Sequence, residues 1–165
     1  GSPFSTESVY PFHLCDLAAI ICGLALLSGS TKLGELAYFW GLAATLQGLI
    51  TPDILNNFPH PLFISFFWSH GFIVVAALFL PLAMGLRPTK AAAWRTFGIT
   101  QLYAVCAITL NSQLGTNYGF LASKPQSASL LDFLPEWPWY ILVLEILCLT
   151  LLWLLQLPFS QKSVK

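Results

Sequence analysis

Charge is what this sequence lacks most. Only 8% of its 165 residues are Asp, Glu, Lys or Arg, against 56% hydrophobic, and the mean hydropathy is +0.73. A water-soluble domain carries about 25% charged residues, so the chain is short of the polar surface that would face water. The charge it has balances, seven basic against seven acidic, which removes the one-signed field that a nucleic-acid partner would need. The four cysteines, Cys15, Cys22, Cys106 and Cys148, show no CxxC or CxxxC spacing, so a zinc ribbon is not expected. The last three lie in apolar runs, where the simplest role is that of small core side chains. No basic segment precedes the first apolar run, as a signal peptide would require, and no repeat period is visible. Gly1-Ser2 reads as a remnant of expression, and residues 1–10 as an N-terminal extension.

What the chain has is apolar length and aromatic rings. Aromatics make up 15% of it, including six tryptophans, as suits side chains anchored at the headgroup level of a bilayer. A spanning helix needs about 20 largely apolar residues. Five runs qualify, near residues 11–28, 33–50, 62–86, 94–114 and 137–157, with 159–165 as a tail. Prolines 11, 52, 61, 88, 138 and 158 flank these runs, while Pro81 lies inside the third and is expected to kink it. The expected fold is all-α, a polytopic transmembrane helical bundle. In the second span Ala37, Gly41, Ala44 and Gly48 form a stripe of small residues that lets a neighbouring helix approach closely.

Counting Lys and Arg orients the bundle. With five spans, one side holds only Lys124, and the other holds Lys32, Arg87, Lys90, Arg95, Lys162 and Lys165. The positive-inside rule then places the N-terminus outside and the C-terminus in the cytoplasm. The polar residues are just as one-sided. His13, Cys15 and Asp16 enter the first span from the outer end, and Gln47 lies about one turn below the outer end of the second. Asp53 and His60 sit in the outer loop TPDILNNFPHP. Asn111 closes the fourth span, and Asn117, Tyr118 and Lys124 lie in GTNYGFLASKP. His70 and Glu145 lie eight residues into their spans, about 12 Å deep.

Each of these residues has a chemical reading and a plain one. Cys15 sits near a helix start, where unpaired amides and the positive dipole end favour a thiolate nucleophile; the plain alternative is a small buried side chain. His13 lies two residues from Cys15 and therefore points about 200° away, but at three residues from Asp16 it can pair with it. A base for Cys15 must come from another helix, and His70 is the best placed, since an ionisable group at that depth needs a cavity or a partner. Glu145 is expected to face the bundle and pair with His70, Gln47 or Asn111. Asp53 reads as a turn or cap, His60 as a surface residue, and Lys124 as either a phosphate ligand or a snorkelling chain. A metal site of His13, Asp53, His60 and His70 lacks any i, i+4 pair, so neither a metal nor a cofactor is expected.

Several stretches carry a resemblance together: PFHLCDLAA, GELAYFWGLAATLQGLITPD, FPHP, SHGFIV, LGTNYGFLASKP and SLLDFLPEWPWY. From about Glu7 onward the chain resembles the YwaF family of bacterial integral membrane proteins, and through it eukaryotic transmembrane protein 164. Members of that family carry further N-terminal spans, which suggests a fragment or a shortened member. The eukaryotic relative is described as a cysteine-dependent acyltransferase that moves acyl chains between phospholipids and lysolipids. The resemblance implies Cys15 as the acyl-accepting nucleophile and His70 as the general base, with a phospholipid or lysophospholipid as the partner. Asp16 or Glu145 would orient a histidine, and Asn111, Asn117 or Gln47 would donate to an oxyanion. The competing expectation is a non-enzymatic lipid or small-molecule binder, or a transporter, with an outward-facing polar vestibule. Substrate and oligomeric state are not specified by the sequence.

Overall fold

The computed structural model describes residues 10–160, and among them every regular element is helical. The tail and the N-terminal extension lie outside the described residues apart from Tyr10, Phe159 and Ser160. The first helix, α1, is Leu14–Ser28. It begins three residues later than the sequence suggests, because His13 is extended as its N-cap and the Asp16 carboxylate accepts from the His13 N–H at 3.2 Å. Gly29, at φ 62°, ends it, with its N–H bonded to the Ala25 carbonyl. This left-handed geometry suits glycine and turns the chain straight into the second helix.

That second helix, α2, has three parts: an α-helix Thr31–Trp40, a π-helical turn Gly41–Thr45 and an α-helical end Leu46–Ile50. Residues 34–40 are all buried, which makes α2 the axis of the bundle. On one side Leu36, Ala37 and Trp40 share a core with Ala18, Cys22 and Ala25 of α1 and with Ile73 and Leu80 of the third helix, α3, Pro61–Leu82. On the other, Tyr38 and Phe39 pack with Ala92 and Ala93 of α4, Ala92–Leu114, and with Leu152 of α5, Trp139–Ser160. The stripe of small residues works as a contact surface. A Cβ on Gly41 would stand 2.6 Å from the Ala77 Cβ of α3, closer than atoms approach without displacing one another.

Pro81 does not kink α3 in mid-span. The helix ends one residue later, four short of the expected boundary, with the Phe79 carbonyl taking the Ala83 N–H. Proline's missing N–H makes it a natural closing residue there. The last helix in turn runs on through Pro158 to Ser160.

Two of the helices, α3 and α5, are by length and composition able to cross a membrane, with mean hydropathies of 2.0 and 2.2. Only 11% and 17% of these apolar windows are buried, so they are not core helices of a water-soluble protein. On α3, Trp68, Phe72, Val75 and Leu82 each stand more than 60% exposed. Side chains of this kind need hydrocarbon around them. The fold is an α-helical membrane bundle with two unlike ends. The end where α1, α3 and α5 begin, called the polar end below, holds Cys15, the 51–60 loop and the 115–138 segment. The opposite, basic end holds Lys32, Arg87, Lys90 and Arg95.

The basic end carries a polar lock built on a buried acid. The buried Glu35 carboxylate accepts from Arg95 at 2.5 Å and from the Thr89 N–H at 2.8 Å, and Arg95 also donates to the Thr89 hydroxyl at 2.6 Å. Next to it, Gln156 of α5 accepts from the Ala93 N–H at the start of α4.

Candidate active site at the polar end

Cys15 sits at the second position of α1, half-buried, with its thiol close to the Thr45 hydroxyl. Thr45 is fully buried and belongs to the π-helical turn of α2. Such turns recur at functional sites because they displace one residue from the regular helical surface. The Thr45 hydroxyl also reaches the Trp40 carbonyl, five residues back, at 3.4 Å. One hydroxyl both donates and accepts, so it can take the thiol proton's hydrogen bond or turn to donate to a thiolate.

α1 is held from outside by α4. The Tyr103 hydroxyl donates to the Phe12 carbonyl at 3.2 Å, with the Leu14 backbone beside it. Its ring stacks on Phe12 with centroids 5.7 Å apart. Tyr103 requires Gly119 behind it: a Cβ there would meet the phenol oxygen at 2.9 Å, at a φ of +67°.

His70 reaches the same region from α3. Its Nδ1 lies 3.0 Å from the Phe66 carbonyl, and its ring stacks on Phe66 at a centroid distance of 3.9 Å. A carbonyl only accepts, so Nδ1 carries the proton and Nε2 keeps its lone pair. That side of the ring faces Gly48, where a Cβ would stand 3.7 Å from Nε2. Gly48 follows Thr45 by three residues, about 4.5 Å along α2 and within about 60° around it. Cys15 and His70 therefore approach one face of α2 within a single turn, from two helices that also pack on each other. Asp16 lies within electrostatic reach of both.

The other expected site residues have structural duties. Asp16 bonds the His13 backbone, and the His13 ring lies edge-on to Tyr118 at 5.3 Å. Asn111 is buried; its carboxamide accepts from the Thr116 hydroxyl and the Tyr118 N–H and donates to the Tyr118 carbonyl. Asn117 folds the next turn, accepting from the Ala122 and Ser123 amides. Asp53 accepts from the Ser127 N–H, joining the two polar-end loops. The His60 ring accepts from the Leu62 N–H as the cap of α3. Lys124 donates to the Leu134 carbonyl at 2.9 Å and pairs with Glu136 at 3.1 Å. Gln47, two residues from Thr45, points about 200° away from it.

Glu145 differs from its expected pairing with His70, Gln47 or Asn111: it accepts from Gln101 of α4 at 2.5 Å. His70 is oriented by a main-chain carbonyl and not by an acid. Among the described residues no three His, Cys, Asp or Glu side chains gather as metal ligands would. Thr45, Tyr103 and Gln101 are the residues the sequence reading passes over. Gln101 carried a signal, as an amide deep in an apolar run. Thr45 stood inside a stripe read as packing, and its use depends on the π turn.

The chain matches the model of the TMEM164 family over residues 2–156. No curated protein matches it, and no solved structure does. The match agrees with the family resemblance without singling out its YwaF branch. Matched over nearly its whole length, this all-helical membrane protein belongs to the TMEM164 family.

Proposed function

We propose that the protein is a membrane-embedded acyl-transfer enzyme that acts on phospholipid or lysophospholipid esters through Cys15. The observation that carries this reading is the approach of Cys15 and His70, from two different helices, to the neighbouring positions Thr45 and Gly48 of α2. In the first half-reaction Nε2 takes the thiol proton and the sulfur attacks the ester carbonyl. A C–S bond forms, the C–O bond to glycerol breaks, and the proton passes to the departing alkoxide, which leaves as a lysolipid. In the second, a lysolipid hydroxyl attacks the thioester with His70 as base; a new ester forms and the proton returns to sulfur. Thr45 steadies the sulfur in both halves.

The vestibule reading is less well supported, because Asp53, His60, Asn111 and Lys124 direct hydrogen bonds into the loops themselves. The charge asymmetry of the loops supports placing the Cys15 end outside the cytoplasm, and the family resemblance suggests a bacterial cytoplasmic membrane.

The test uses purified protein in phosphatidylcholine liposomes with an acyl-labelled donor and a lysolipid acceptor. A hydroxylamine-labile label on the wild type, absent from Cys15→Ala and slowed about 10²-fold or more in His70→Gln, supports the assignment. Turnover unchanged in Cys15→Ala overturns it.

A further inference from the structure

An apolar groove of about 530 Å³ runs between α1 and α3, walled by Ala19, Gly23 and Leu26 on one side and by Ser69, Ala76 and Phe79 on the other. We propose that this groove holds the acyl chain of the ester whose carbonyl is presented to Cys15. The proposal rests on the acyl-transfer reading above and deepens it.

Four observations support that occupant. First, the α1 wall is continuous with the candidate nucleophile. Cys15, Ala19, Gly23 and Leu26 follow at steps of four, four and three, the spacing of one helical face. The α3 wall begins with Ser69, the residue before His70. A carbonyl at Cys15 thus has its chain running straight into the groove.

Second, the groove offers nothing to a headgroup. Its hydroxyl, on Ser69, donates to the Phe66 carbonyl at 3.0 Å, and the buried Cys22 sulfur lies against the Ile73 carbonyl. Third, the length fits. The α3 wall from Ser69 to Phe79 is about 15 Å of helix, close to the ~15 Å depth of one leaflet's hydrocarbon.

Fourth, the α1 wall leaves room for a chain beside it. The space is kept open by a missing side chain: a Cβ on Gly23 would meet nothing within 4 Å. The groove is therefore suited to measure chain length, with Leu26 and Phe79 at its far end.

The test has two arms in phosphatidylcholine liposomes. The first uses a phospholipid with a diazirine at the end of its acyl chain, photolysed with the wild type and with Cys15→Ala, and the adducts are mapped by mass spectrometry. Adducts on residues 19–26 and 72–79 in both proteins are the expected result, and adducts confined to other helices overturn the proposal. The second compares transfer of palmitoyl and hexanoyl esters by Gly23→Phe and, from the facing wall, Ala76→Phe, with hexanoyl transfer as the control for folding. A loss of about tenfold or more for palmitoyl, with hexanoyl retained, supports the groove. Equal effects on both chain lengths in both variants overturn it. Groove adducts in a protein whose Cys15→Ala variant still turns over would uphold the groove and remove the nucleophile, so the two readings fail separately.

Discussion

At the scale of single residues, the polar end divides between a few groups positioned for chemistry and many that shape the loops around them. Thr45 makes the sharpest case. Its hydroxyl lies beside the Cys15 thiol, within reach of a thiolate, and its buried position leaves water no way to replace it. Thr45→Val keeps the shape and removes the hydroxyl. It should slow thioester formation at Cys15 by about tenfold, the value of one hydrogen bond to a charged group, while Thr45→Ser keeps most of the rate. Stopped-time measurement of the hydroxylamine-labile label distinguishes the two. His60 belongs to the other class. Because its ring accepts the Leu62 N–H at the start of α3, His60→Ala should cost about 1 kcal/mol of stability and leave the acyl-transfer rate unchanged once the protein is folded. Thermal unfolding and turnover of the same preparation check both.

At the scale of elements, everything at the site depends on how closely α3 lies against α2. Gly41 permits that approach, and Gly48 gives the His70 ring its place about two turns further on. Gly41→Ala should destabilise the bundle by about 1–3 kcal/mol through overpacking. Ala77→Gly, which removes the methyl group it would strike, should restore much of that loss. A double-mutant cycle of melting temperatures in detergent reads the coupling. A second contact between elements sits at the basic end. Arg95→Met leaves the Glu35 carboxylate buried without its cation, an arrangement that typically costs about 3–5 kcal/mol. Adding Glu35→Gln should recover most of it, since the remaining amide can still accept from the Thr89 N–H. Agreement between the single variants and the double would show instead that the lock contributes nothing.

At the scale of the whole molecule, the two ends are chemically opposite, and the membrane gives that opposition a direction. An impermeant maleimide should label Ser127→Cys from outside intact cells and label Lys90→Cys only after the cells are opened. The reverse pattern would invert the bundle and put the candidate site on the cytoplasmic face. The legible part of this architecture was considerable. The paucity of charge, the apolar runs and the family segments read directly as a helical membrane bundle, and Cys15 and His70 were identifiable as groups out of place in hydrocarbon. The helical periodicity alone separated Cys15 from His13. Partners were a different matter. Glu145 takes Gln101, His70 takes a main-chain carbonyl, and the outer-loop asparagines close their own turns.

The division has a physical reason. Hydropathy and the cost of an unpaired polar group in lipid act on each segment by itself, so the sequence alone determines that these runs become helices, that the chain belongs in a membrane, and that its polar residues gather at one end. Which side chains meet depends on the rotation of each helix about its axis, on close approaches such as Gly41 against Ala77, and on a π turn that moves Thr45 into register with Cys15. These are set by contacts between segments distant in sequence. Only the tertiary structure decides them.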